Sequence, residues 1–191
     1  MAGAGCAVAA CTGLVCAEPG RDSARSGQSG KVCERPKKRG KEEEIRVGSV
    51  NVGTMRGRCA EVVETVNRRR LDVCFLQETR RRGAEEPFLS RNQAKLVKGK
   101  DSKYKFFWSG NPGGTNGVGI LLAEKWIDSV FEVLRASDRI IMLKMIIGKT
   151  VYTLVNVYAS QQGTPEEEKD RFYDQLNAIA AGIPKRNKSN T

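Results

Sequence analysis

Two β-prone runs lie close together in this chain, and the stretch between them follows a different period. Residues 45–51, with Ile45, Val47 and Val50, read as a short strand closing at Asn51, and residues 71–76 read as a second. Between them, residues 58–70 carry Val62, Val63 and Val66 at helical spacing. This β-α-β order is the main constraint on the fold. Parallel neighbouring strands need a crossover, so the pattern predicts an α/β fold with helices outside a sheet.

Further along, residues 104–108 are aromatic and β-prone, and residues 117–123 follow a glycine-rich turn. Residues 140–147 and 150–158 are expected to pair around Gly148-Lys149, so these four segments read as strands of a meander. Thr164-Pro165-Glu166-Glu167 offers an N-cap, a proline at the first helical position and a capping-box glutamate. The helix it opens runs to about residue 181 with Phe172, Leu176 and Ile179 as its apolar stripe.

The rest of the chain lacks such periods. Residues 1–44 are rich in Gly, Ala, Ser and Arg and are expected to form a disordered basic leader. Residues 45–183 are the expected domain, and residues 184–191 a disordered tail. No basic residue precedes the apolar run 7–17, so it makes a poor secretory signal, and no stretch approaches the roughly 20 apolar residues of a membrane span. The basic cluster Arg35-Pro36-Lys37-Lys38-Arg39-Gly40-Lys41 reads as a nuclear address, a phosphate-binding arm or a solvated linker. A nuclear location is therefore expected first, a cytoplasmic one otherwise.

Composition sets limits on the chemistry. There are 33 Lys and Arg against 22 Asp and Glu, a net charge of +11 that favours polyanionic partners such as DNA. The six cysteines show no two-residue zinc-binding spacing and are expected to be reduced, with Cys59 and Cys74 packing as small hydrophobes. There is no histidine, which excludes a histidine base, metal ligand or Ser-His-Asp triad within this chain.

Polar groups stand at the ends of the expected strands. Asn51 closes the first and Glu78, in Gln77-Glu78-Thr79, follows the second, at the carboxyl edge where α/β sheets place ligand sites. A carboxylate there suits Mg²⁺, a hard cation that retains several waters, and a neighbouring carboxamide can hold a phosphate oxygen. Equally, Asn51 could cap a turn and Glu78 be a solvated charge. Tyr158 ends the last strand and could reach the same rim or sit half-buried at an edge. Arg80 and Arg81 beside Glu78, and Asn116 in the glycine-rich turn, are candidate phosphate or sugar contacts, solvated loop residues being the alternative.

The wording of these motifs resembles a known family. Residues 45–57 and 71–80, then Gly113-Gly114-Thr115-Asn116-Gly117-Val118-Gly119-Ile120 and Val155-Asn156-Val157-Tyr158-Ala159-Ser160, look like the endonuclease/exonuclease/phosphatase superfamily. More narrowly they are similar to the apurinic-endonuclease-like domain of RTE/BovB-type non-LTR retrotransposons, which act beside a reverse transcriptase. That resemblance implies a DNase I-like, four-layer α/β sandwich, here partial and truncated, and a hydrolase that nicks DNA with Mg²⁺ or Mn²⁺ and needs no small-molecule cofactor. It implies Asn51 and Tyr158 as catalytic, and Glu78 as both catalytic and metal-binding. The family's later Asp-x-Asn and Asp-His motifs have no counterpart, so the expectation is a fragment that binds metal weakly if at all and is inactive alone. A non-catalytic nucleic-acid-binding remnant, or an unselected fragment of a degenerate element, is the alternative.

Overall fold

A computed structural model of the chain describes residues 13–19, 44–82 and 94–183. The strands are β1 (Gly13–Pro19), β2 (Val47–Asn51), β3 (Val73–Gln77), β4 (Ala94–Lys98), β5 (Lys103–Ser109), β6 (Val118–Ala123), β7 (Val130–Ser137), β8 (Ile140–Ile147) and β9 (Thr150–Val157). The helices are α1 (Cys59–Arg68), α2 (Glu166–Ala181) and a 3-10 helix over Glu124–Ser129. One sheet has the order β2-β3-β6-β5-β4, the other β1-β9-β8-β7. As the β-α-β order predicts, β2 and β3 are parallel, with Asn51 beside Gln77.

Alternation along the strands builds the layers. On β3, Val73 and Phe75 face the second sheet, where they meet Ile141, Leu143 and Met145 of β8 and Leu154 of β9 in one buried cluster. The intervening Cys74 and Leu76 face outward, onto Val62, Val63 and Val66 of α1. On the far side, Met142 of β8 and Val155 and Val157 of β9 pack on Phe172, with Leu176 and Ile179 partly buried against them. The result is helix, sheet, sheet, helix: the four-layer α/β sandwich. The central strands β3 and β6 are covered on both faces, which explains why they read as nearly continuous apolar runs. Each buried valine of α1 contributes roughly 1.5 kcal/mol or more by leaving water, so this face holds the helix down better than its polar composition suggests. Burial also pushes the Cys74 thiol up to about 12, consistent with an apolar packing role.

Several expectations need correction. The four segments read as one meander divide between the sheets, β5 and β6 in one and β8 and β9 in the other. Their connection passes through the 3-10 helix and β7, neither of which stood out in the sequence. Strand β4 was also missed; its Leu96 is exposed at a sheet edge, so its pattern is weak. Part of the expected disordered leader, Gly13–Pro19, pairs in antiparallel register along β9 from Asn156 to Thr150. Its physical role is plain: β9 would otherwise offer a row of unpaired backbone groups beside a buried core. The remainder of the leader, its basic cluster included, and the tail 184–191 lie outside the described residues.

Helix α2 starts one residue later than its capping box predicts. Pro165 occupies the cap with an extended ψ of 145° and no side-chain cap, while its carbonyl accepts from the Glu168 and Lys169 amides. Thr164 instead closes a turn onto the Gln161 carbonyl. The β8–β9 hairpin matches expectation, with Gly148 at φ 60° where a side chain would be strained. Among the described residues, no helix is long and apolar enough to cross a membrane.

Candidate functional site

The parallel pairing of β2 and β3 brings Asn51 and Glu78 to one edge. The Asn51 amide Nδ2 donates to Glu78 Oε1 at 2.8 Å, and its Oδ1 accepts from the Gly53 amide at 3.0 Å. Glu78 itself leaves the strand in the left-handed region, at φ 53°. Regular alternation would send its side chain opposite to Gln77, onto the α1 side. The left-handed turn redirects it to the rim, a strained conformation of the kind found where a group must be aimed.

The second sheet supplies the third group. Along β9, Leu154 and Asn156 face inward, and the same alternation carries Tyr158 inward just past the strand end. Its hydroxyl donates to Glu78 Oε1 at 2.7 Å. Gln161 Nε2 donates to that hydroxyl at 3.3 Å, and Arg139 lies over the ring, 5.3 Å from its centroid. Asn51, Glu78 and Tyr158 thus form one hydrogen-bonded constellation. It draws on both sheets.

Electrostatics follow from these contacts. The Asn51 amide and then the Tyr158 hydroxyl, helped by Arg80, hold the Glu78 carboxyl below its ordinary range against the opposing effect of burial. Burial and the facing carboxylate raise Tyr158 above the ordinary phenol value, while Gln161 and Arg139 act the other way. At neutral pH the rim therefore presents a carboxylate and a neutral phenol whose one proton lies on that carboxylate.

The loop between β5 and β6 is stitched to the same edge. The Thr79 amide donates to the Gly117 carbonyl and the Arg80 amide to the Asn116 carbonyl. Both Arg80 and Asn116 adopt left-handed backbone, and Gly117 sits at φ 93°. Asn116 Nδ2 donates to Asp138 Oδ2 at 3.1 Å, as does Asn111 Nδ2 at 3.3 Å. Asn116 therefore lies beside the rim with its amide engaged in anchoring the loop to the β7–β8 turn. Asp138 is a residue that motif reading missed, because its meaning depends on the two asparagines that fold onto it.

Arginines border the carboxylate. Arg80 Nη2 lies 3.5 Å from Glu78 Oε2 and is exposed. Arg81 is half-buried, its guanidinium 2.9 Å from Cys59 Sγ and over the Trp108 ring at 5.7 Å. Arg56 donates to the Arg80 carbonyl. Cys59 is thus less apolar in its contacts than expected, and it also reaches the Met55 carbonyl at 3.2 Å.

For a divalent cation, the donors are few. Glu78 Oε1 already accepts two hydrogen bonds, leaving Oε2 as the carboxylate oxygen that faces Arg80. Among the described residues no group of three or more His, Cys, Asp or Glu side chains could hold a metal ion. A single carboxylate fits Mg²⁺ only in the manner of a cation that keeps most of its waters.

The site is thus a polar rim at one edge of an α/β/β/α sandwich, built from strand ends of both sheets. No protein-family model matches the sequence, and no curated protein matches it. Among solved structures the chain is similar to an AP endonuclease from Archaeoglobus fulgidus, with a TM-score of 0.47 and 18% identity. The match covers 74% of this chain and 53% of that one, so the chain spans about half the length of the structure it matches.

Proposed function

We propose that this chain is the first half of a divalent-metal-dependent phosphodiesterase of the apurinic-endonuclease-like, retrotransposon type, and that alone it binds DNA without appreciable cleavage. The convergence of Asn51, Glu78 and Tyr158 on one carboxylate oxygen carries this reading. Glu78 would offer Oε2 to a hydrated Mg²⁺ or Mn²⁺, with weak affinity because one carboxylate acts alone. That cation would supply charge stabilisation at phosphate. Tyr158 would keep its one hydroxyl proton on Glu78 Oε1 and, with Asn51, hold Glu78 ionised and aimed. Arg80, Arg81 and Asn116 border the rim where a DNA backbone would run.

The inactivity half of the proposal rests on the missing base. The sequence contains no histidine, and no group of three or more metal-binding side chains gathers among the described residues. Losing members of a cooperating catalytic set costs several orders of magnitude in rate. A Mg²⁺-dependent plasmid-nicking assay on purified chain tests it, with Glu78→Ala as control. No Glu78-dependent nicking is expected, and robust nicking abolished by Glu78→Ala would overturn the inactivity. Binding of duplex DNA that weakens steeply with salt is expected through the arginine border and the net charge of +11. Loss of both binding and cleavage would favour an unselected fragment.

A further inference from the structure

Apolar packing between two sheets is non-directional, so it does not by itself determine how far one sheet slides along the other. Yet the Tyr158 hydroxyl meets Glu78 Oε1 at 2.7 Å across that boundary. A slide of about 1 Å would take the pair out of hydrogen-bond range. Something directional must hold the register near the rim.

Two buried carboxamides lie there, each 1% exposed: Gln77, one residue before Glu78, and Asn156, two before Tyr158. Asn156 Nδ2 donates to the Leu76 carbonyl at 2.9 Å and to the Gly119 carbonyl at 2.7 Å, entering the first sheet between β3 and β6. Carbonyls only accept, so the amide can take only this orientation and its Oδ1 must face Gln77. Gln77 Nε2 fills that place at 3.0 Å and donates its other proton to Ser49 Oγ on β2 at 3.0 Å. The remaining ties on Tyr158 come from its own sheet and its following loop: its amide to the Arg139 carbonyl, Arg139 to its carbonyl, and Gln161 to its hydroxyl. They hold it on β8, whose turn from β7 is tied to the first sheet through Asn111 and Asn116 on Asp138, but none of them reaches from β9 to the strand that carries Glu78.

We propose that Gln77 and Asn156 are positioning residues: their amide pair locks β9 to β2, β3 and β6 and so sets the height at which Tyr158 meets Glu78. The functional meaning of that contact rests on the reading of the rim given above; the geometric claim stands without it. Buried amide networks are costly unless every donor is placed, and all four protons of these two amides are.

The test is the crystal structure of the full chain carrying Asn156→Leu, with Gln77→Met as the second variant because it leaves the Asn156 donors on their carbonyls. In a folded variant, the Tyr158–Glu78 separation is expected to open beyond 3.5 Å while the Phe75–Leu143 core stays in place. Mn²⁺ affinity, measured by titration on the same proteins, is expected to fall about 10-fold, the lower end of what loss of a supporting hydrogen bond costs a metal site. A Tyr158–Glu78 bond that remains intact in either folded variant would overturn the proposal. So would failure of both variants to fold, which would make the pair a requirement of folding alone. A wild-type chain that binds no Mn²⁺ would sink the functional reading of the rim, and the distance measurement would still decide the positioning claim.

Discussion

Tyr158 donates its hydroxyl proton to Glu78 Oε1 although the two residues are 80 positions apart and belong to different sheets. Asn51 donates to the same oxygen from a third strand. Removing either donor should release the carboxylate unequally. Asn51→Ala is expected to raise the Glu78 pKa more than Tyr158→Phe does, since the Asn51 amide is the larger influence. Tyr158→Phe should also cost about 0.5–1.5 kcal/mol of stability, the net worth of one hydrogen bond. Carbon-detected NMR titration of the Glu78 carboxyl checks the order; a larger shift in Tyr158→Phe would reverse it.

The same carboxylate makes stability depend on pH in one direction. Its folded pKa lies below the ordinary 4.5, so the unfolded chain takes up the proton first as pH falls. The stability contributed by Glu78 is complete above 4.5 and is lost as pH drops through the lower folded value. Urea midpoints of wild type and Glu78→Gln should therefore differ at neutral pH and converge in acid. Curves that stay parallel down to acid unfolding would show that Glu78 is not depressed.

Gly117 and Gly148 separate two costs of a side chain. Both have positive φ, so alanine is strained at either. At Gly148 a Cβ meets nothing within 4 Å, whereas at Gly117 it falls 2.6 Å from Thr79 Oγ1. Gly148→Ala is expected to cost about 1 kcal/mol. Gly117→Ala should cost clearly more and weaken DNA binding, because Arg80 and Asn116 are held through that loop. Equal melting points for the two variants would count against the close approach.

Between the sheets, Leu143 is fully buried, while Phe131 on β7 is 54% exposed. Leu143→Ala should destabilise by about 2–5 kcal/mol through lost contacts and a residual cavity. Phe131→Ser, despite removing a larger side chain, should stay within about 0.5 kcal/mol. Chemical denaturation of both variants measures the contrast. Similar losses would mean that β7 packs against something at its exposed face.

Local pattern made the β-α-β unit, the β8–β9 hairpin and the apolar stripe of α2 legible, because each rests on side chains a few residues apart. Strand β4 was not legible, since an exposed edge strand shows little alternation. Nor was β1: its place depends on the open edge of β9, more than 130 positions away in sequence. Among site residues, Asn51 and Glu78 could be placed at strand ends by inspection. Asp138, Gln77 and Asn156 could not be assigned roles, since a buried amide or carboxylate has meaning only through the partners that surround it.

The amino-acid order by itself determined the β-α-β unit, the strands β5, β6, β8 and β9 and the helix α2, which of their faces are apolar, and that three polar groups stand at strand ends. Those properties come from short-range sterics and from the periods of strand and helix. Only the tertiary structure decided how the strands divide between two sheets and that Glu78 turns left-handed at the rim. It also decided that two buried amides hold Tyr158 against Glu78 from the opposite layer. Such relationships are set by burial and by directional hydrogen bonds between residues about 80 positions apart, which no local pattern encodes.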